Sequence, residues 1–107
     1  MTISYLPEVE QYLLELVELL YEEDYFSFRE DAVAYVHKLR MYVDSRIHIA
    51  QKRPAPDIFS RYGKNMYYIT YKANYQTEWY IFFQQLENAF LVRYITNNHV
   101  SAQYFSY

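Results

Sequence analysis

The sequence predicts an α+β fold, in which an N-terminal antiparallel two-helix hairpin packs on an antiparallel sheet of three or four strands. In the N-terminal half, apolar residues recur at three- and four-residue steps, the spacing of helices that bury one face. From about residue 65 onward, β-branched and aromatic residues are enriched, as is typical of strands. A chain of 107 residues is long enough to bury a core, so one domain is predicted over 1–107.

The first helix is predicted over about residues 7–23. Pro7 suits a first helical turn, because the N–H that proline lacks has no helical partner there. One stripe of apolar residues should face the core, and it consists of Val9, Leu13, Leu16, Val17 and Leu20. The glutamates on the opposite side should be solvated.

The second helix is predicted over about residues 28–50. Ser27-Phe-Arg-Glu30 matches a capping box, in which the serine hydroxyl accepts a backbone N–H and the glutamate reaches back. Its core stripe should consist of Ala32, Val36, Leu39, Val43 and Ile47. A short polar connection to the first helix predicts an antiparallel hairpin.

The sheet is predicted over about residues 65–107. Its strands should be Met66–Tyr71, Trp79–Phe83 and Ala89–Ile95, with the tail Gln103–Tyr107 as a fourth. The nearly continuous apolar run from Trp79 to Phe83 predicts a central strand covered on both faces. Asn97-Asn98 marks a bulge, a turn or the end of the third strand, since asparagine tolerates left-handed backbone.

Composition excludes several kinds of site. The chain has no cysteine and one glycine, which excludes thiolate metal sites, disulfides and a glycine-rich phosphate loop. The histidines at 37, 48 and 99 show no ligand spacing, so we expect neither a metal nor a cofactor. No signal-like start and no membrane-spanning run is present, which predicts a cytoplasmic protein that contacts no membrane.

Charge is strongly polarised along the chain, although the net charge is only −3. Residues 1–28 carry seven acidic side chains and no lysine or arginine, whereas residues 29–64 carry eight basic side chains against four acidic ones. This polarity would attract an anion to one side of the molecule. Alternatively, it reflects two solvated helix faces of opposite sign that complement each other.

Basic residues near the first strand are candidate RNA-binding groups. Those in the connection between the second helix and the sheet are Lys52, Arg53, Arg61 and Lys64, and Lys72 follows in the first strand. Tyrosines lie among them, and bases of single-stranded RNA stack on such rings. The alternative is an ordinary polar surface connection with half-buried strand tyrosines.

Arg93 interrupts the apolar strand Phe90–Ile95, where a charge is costly unless it is paired or faces a site. Strict alternation places it on one face with Leu91 and Ile95, either binding phosphate or paired with a glutamate of the first helix. His99 has the same parity and could donate a proton. The two would lie about 20 Å apart in a continuous strand, so they meet only if the chain folds back at Asn97-Asn98.

The C-terminal strands resemble those of the RelE/ParE superfamily of bacterial type II toxins. Trp79-Tyr-Ile-Phe-Phe83 and Leu91-Val-Arg-Tyr-Ile-Thr96 are similar to the family's paired strand motifs, and the order of helices and strands is similar over most of the chain. The pattern differs at Tyr80, where the family has arginine, and at Thr96, where it has histidine.

The resemblance implies a toxin component of a toxin–antitoxin system that is bound by a cognate antitoxin protein. RelE-type members cut mRNA on the ribosome without a metal, using arginine, lysine and histidine, glutamate or tyrosine side chains. It therefore implies that Arg93, His99 and Tyr104 are candidate catalytic residues. Two alternatives are a non-catalytic protein–protein interaction module of the same fold and a homodimer formed through the tyrosine-rich sheet edge.

Overall fold

A computed structural model describes residues 1–23 and 25–105 of the chain. It confirms the α+β class, because two long helices pack against one sheet. The strands are β1 (Thr2–Tyr5), β2 (Arg53–Pro54), β3 (Tyr67–Asn74), β4 (Thr77–Gln85) and β5 (Ala89–Asn97). The helices are α1 (Pro7–Glu22), α2 (Arg29–Arg46) and the single turn α3 (Asn98–Ser101). Short 3₁₀ helices cover Asp57–Tyr62 and Ala102–Tyr104.

The sheet has five strands in the order β1-β5-β4-β3-β2, which is slightly more than predicted. It is mixed rather than wholly antiparallel, since β1 pairs with β5 in parallel. The other neighbouring pairs are antiparallel. The chain therefore begins in the sheet, leaves it through α1 and α2, and returns through β2.

Both predicted helices form, but the capping box does not. The second helix begins at Arg29, so Phe28 occupies the N-cap position and no described side chain caps the helix. Ser27 therefore lies outside the cap and Glu30 lies one position too early to reach back. The helix also ends earlier than predicted, at Arg46.

The central strand β4 is covered on both faces, as its apolar run predicted. Ile81 and Phe83 belong to the cluster that includes the buried stripes of α1 and α2. Tyr80 and Phe82 belong to a second cluster on the other face. The second cluster also contains Phe59 of the first 3₁₀ helix.

The C-terminal tail is not the fourth strand that its composition predicted. After β5 the chain forms α3 and the second 3₁₀ helix, and the ring of Phe105 then stacks on Tyr80 at 3.9 Å. An aromatic residue can therefore cover a sheet face without joining the ladder. Ser106 and Tyr107 lie outside the described residues.

One hydrogen bond ties β1 to α2 across the helical face. The hydroxyl of Tyr5 donates to Asp44 Oδ1 at 2.6 Å, and the guanidinium of Arg40 lies 4.2 Å from the Tyr5 ring centre. Burial, followed by the hydrogen bond to Asp44, raises the pKa of Tyr5 well above its usual range. In the described parts of the chain, no helix is long and apolar enough to cross a bilayer.

Replacing Tyr5 by phenylalanine should lower the free energy of unfolding by about 1–2 kcal/mol, because Asp44 loses its donor in a partly buried position. Urea denaturation followed by circular dichroism measures this change. Tyr75→Phe is the matched control, since that side chain is 85% exposed. Equal stability of the two variants would contradict a structural role for the bond.

Candidate functional site

A groove of about 540 Å³ opens beside β5, at the point where β1 ends. The pairing of β1 with β5 stops at Tyr5 and Val92, and the N–H of Leu6 then donates to Val92 O at 3.0 Å. Beyond that point α1 leaves the sheet, so the outer side of β5 is not paired with another described strand. The groove lining includes Glu8, Val9 and Tyr12 of α1, Arg61 and Tyr62 of the first 3₁₀ helix, and Arg93, Tyr94, Ile95 and Thr96 of β5.

A β-bulge directs Arg93 toward this groove. On β4, Phe82 pairs with Tyr94 and Phe83 with Val92, which leaves Arg93 as the extra residue. The strict alternation predicted for this strand is therefore wrong. Arg93 reaches the first 3₁₀ helix on the face where Tyr94 packs, whereas Ile95 belongs to the cluster on the helical face.

Arg93 is held by neutral groups rather than by a glutamate of α1, so the predicted alternative of an ion pair is wrong. Its Nε donates to the carbonyl oxygen of Tyr62 at 2.6 Å, and one terminal nitrogen donates to Gln84 Oε1 at 3.4 Å. Neither acceptor carries a formal charge. The guanidinium is positioned while its positive charge remains available to a ligand.

Gly63 permits this placement of Arg93. A Cβ atom at residue 63 would lie 2.4 Å from Arg93 Nε and 2.6 Å from Arg93 Cδ. The φ of Gly63 is 163°, an extended conformation that any residue can adopt. Close approach of the arginine, rather than backbone strain, is therefore the reason that glycine suits this position.

Stacked tyrosines form the adjoining wall of the groove. The rings of Tyr62 and Tyr94 are nearly parallel, at 6°, with centres 3.8 Å apart. The guanidinium of Arg61 lies 5.0 Å from the centre of the Tyr62 ring. Two arginines and two stacked rings thus meet at one place, an arrangement that suits an anionic group next to a planar one.

Two phenols of the groove, Tyr12 and Tyr94, have raised pKa values and remain protonated near neutral pH. Burial, followed by the proximity of Tyr94 and Tyr35, raises the pKa of Tyr12 to about 12. Burial and the neighbouring Tyr62 hydroxyl raise the pKa of Tyr94. These hydroxyls can donate hydrogen bonds to a bound ligand, but they are poor general bases at pH 7.

The structure does not bring the three candidate catalytic residues together. The chain turns at Asn97, whose side chain accepts from the N–H of His99 at 2.9 Å, so the strand ends there as one of the alternatives predicted. His99 Nε2 then lies 3.0 Å from Thr77 Oγ1, at the start of β4. Arg93 instead contacts Gln84 near the end of β4, and that strand length separates the two by about 20 Å.

Tyr104, the third candidate, also lies apart from Arg93. Its ring packs edge-on against Phe59 with centres 5.7 Å apart, and it does not line the groove. The residues that do line it beside Arg93 include Tyr12 and Glu8, which the sequence did not single out. Nothing in their spacing shows that α1 begins next to β5, because that placement depends on the parallel strand β1.

Of the basic residues predicted to bind RNA, only Arg61 lines the groove. Lys52 donates to Gln85 and lies 4.8 Å from the centre of the Tyr67 ring. Arg53 lines a cavity of about 190 Å³ between α2 and β3.

Lys64 and Lys72 also lie outside the groove lining. Lys64 has an exposed side chain, and its backbone carbonyl accepts from Gln84 Nε2 at 2.8 Å. Lys72 lies opposite Glu78 in the register of β3 with β4. The basic residues are therefore distributed over the molecule and do not form one continuous path for a nucleic acid strand.

Comparison of the chain with models of protein families, with curated proteins and with solved structures finds no match. In the described parts of the chain, no cluster of three or more histidine or acidic side chains is arranged to hold a metal ion.

Gly63→Ala should lower the free energy of unfolding by about 1–3 kcal/mol, because the new methyl group displaces Arg93 from the Tyr62 carbonyl. Arg93→Ala removes the side chain that the methyl group would meet. The cost of Gly63→Ala should therefore fall in an Arg93→Ala background, where only the contact with Met66 Sδ, 3.1 Å from the new methyl group, remains. A full cost in both backgrounds would show that another contact explains the glycine.

The raised pKa of Tyr12 predicts a stability change at alkaline pH. The folded-state value of about 12 exceeds the ordinary value of 10.0, so this contribution is fully present below pH 10 and is lost as the pH rises through 12. Tyr12→Phe should flatten the fall in unfolding free energy across that window by up to about 2 kcal/mol. Urea denaturation at a series of pH values tests this, with Tyr75→Phe as the control.

Proposed function

We propose that the chain is a RelE/ParE-like toxin component of a bacterial toxin–antitoxin system, which acts in the cytoplasm by binding its target through the groove beside β5. Two features support this proposal. The order of elements on which the resemblance was drawn, a helical hairpin followed by antiparallel strands, is present in the structure. The two strands that carry the motifs are neighbours in the sheet.

The position of Arg93 is the single observation that carries the functional part of the proposal. A guanidinium held by a carbonyl and an amide, with no acidic partner in residues 1–23 and 25–105, suits the phosphate of an RNA chain. Arg61 adds a second positive charge, and the tyrosine wall offers aromatic surface for a base. Ribosome-bound mRNA is thus a target that fits the groove, and an antitoxin would block it.

Binding is better supported than catalysis. Cleavage by a ribose 2′-hydroxyl requires a base for that hydroxyl, a cation for the phosphate and an acid for the leaving oxygen. The groove supplies the cations and phenolic hydrogen-bond donors, but its phenols are poor bases and His99 lies elsewhere. Endoribonuclease activity is the second candidate, and the two guanidiniums are the observation that favours it.

Induced expression in a bacterial host should arrest growth, and Arg93→Ala or Arg61→Ala should relieve the arrest because target affinity falls by about tenfold or more. Arg93→Lys retains the charge but loses the planar fork, so it should relieve the arrest partly. Arg46→Ala, at an exposed site away from the groove, is the matched control. Circular dichroism of each purified variant verifies that it is folded.

Mapping of mRNA ends in the same cells separates the two candidate functions. We expect arrest without new mRNA ends. New ends that appear with the unaltered protein and disappear with Arg93→Ala would establish the endoribonuclease instead. Harmless expression, at a protein level verified by immunoblotting, would contradict the toxin assignment altogether.

A further inference from the structure

One side of α1 carries a row of carboxylates that have no cationic partner in the part of the chain that the structure describes. Glu8, Glu15 and Glu22 follow one another at seven-residue steps, so they lie along one side of the helix about 10 Å apart. None of the three forms an ion pair with the described residues. Glu10 and Glu18, by contrast, pair with Arg40 and Arg29 of α2.

An apolar row runs beside these carboxylates. Tyr12, Leu16 and Leu19 line a shallow groove of about 330 Å³ on α1, together with Glu15, Glu22 and the Glu18 that pairs with Arg29. Leu19 is 47% exposed, whereas Leu16 is only 4% exposed and forms the floor. An apolar row flanked by charges at seven-residue spacing is the pattern with which one helix recognises another.

We propose that this face of α1, lined by Tyr12, Leu16 and Leu19 and flanked by Glu8, Glu15 and Glu22, is a docking surface for a basic amphipathic helix of a partner protein. The occupant should place apolar side chains into the groove and lysine or arginine side chains against the carboxylates. This inference does not rest on the proposed function: Glu8 and Tyr12 also line the arginine groove, but Leu16, Leu19, Glu15 and Glu22 lie outside it.

The charge of α1 favours a basic helix over a nucleic acid, an anionic lipid surface or a second copy of this chain. Residues 1–28 carry seven acidic side chains and no lysine or arginine, so the exposed side of α1 that lies away from Arg61 and Arg93 repels nucleic acids and anionic lipid surfaces. A second copy of this chain, docked symmetrically, would bring the same acidic face against itself. A basic helix complements both the apolar row and the charges that α2 leaves unpaired.

A pair of synthetic peptides tests the proposal. Each has about 18 residues, long enough for a helix, with leucines at positions i, i+4 and i+7. One carries lysines on both flanks of the leucine row, and the other carries glutamates at the same positions. Fluorescence anisotropy of the labelled peptides against the full chain gives the Kd of each, at low and at high salt.

We expect the lysine peptide to bind and to weaken at high salt, and the glutamate peptide not to bind. Leu19→Asp should raise the Kd of the lysine peptide by about tenfold or more. Leu14→Asp is the matched control, since Leu14 is 67% exposed on the other side of α1, and it should leave the Kd unchanged. Circular dichroism verifies that both variants are folded.

Three outcomes would overturn the proposal: no binding of the lysine peptide, equal binding of both peptides, or equal effects of the two leucine variants. Sedimentation of the free chain provides the remaining check. A dimer that Leu19→Asp dissociates and Leu14→Asp does not would assign the groove to a second copy of this chain instead.

Discussion

The double-sided burial of β4 is the constraint on which the rest of the structure depends. Phe82 and Phe83 are adjacent in the chain and lie on opposite faces of the sheet, and both are fully buried. Burying such large side chains is strongly favourable only if each face has its own cover. The helical hairpin covers one face. The other face is covered by the 3₁₀ helix Asp57–Tyr62 and by Phe105. These segments lie outside the sheet, but the burial of Phe82 depends on them.

The groove follows from this arrangement. The 3₁₀ helix must lie against the sheet to bury Phe59, and its last residues therefore come next to β5. There the bulge interrupts the alternation of side chains between the two faces, so Arg93 can point toward the groove. Even a partly buried charge is costly unless it is hydrogen bonded, and the carbonyl of Tyr62 accepts that hydrogen bond from Arg93. A carboxylate would have neutralised the arginine, whereas a carbonyl only orients it. The same packing that stabilises the fold therefore leaves a positive charge directed at an open groove.

The elements that could be predicted from the sequence are those in which apolar residues recur at the spacing of one helix or one strand. The apolar stripes of both helices and the continuous run of β4 were predictable because each is set by burial along a single element. β1 was missed because it has four residues and its parallel partner lies at the far end of the chain. The capping box does not form because the helix begins one residue later than the motif requires, at Arg29. The motif alone does not determine the first residue of a helix.

The site was harder to predict than the fold, for a related reason. Arg93 could be singled out because a charge in an apolar strand requires an explanation. The face of the sheet on which the Arg93 side chain lies could not be predicted. A bulge depends on how two strands pair, and the sequence of one strand does not reveal it. Tyr12 joined the groove only because β1 sets the start of α1 beside β5. The position of His99 depends on Asn97, whose side chain caps the following turn.

The charge of α1 shows that complementarity between the helices explains only part of its composition. Arg40 and Arg29 pair with Glu10 and Glu18, which supports the view that the two helices carry matching faces. Exposed pairs of this kind contribute little, about 0–1 kcal/mol each. The unpaired row on the other side of α1 gains nothing from α2. Its members are spaced by slightly more than the Debye length at physiological salt, about 8 Å, so their mutual repulsion is weak but not absent. A row that brings the isolated fold no benefit, next to an apolar groove, is better explained by a partner than by the stability of this chain.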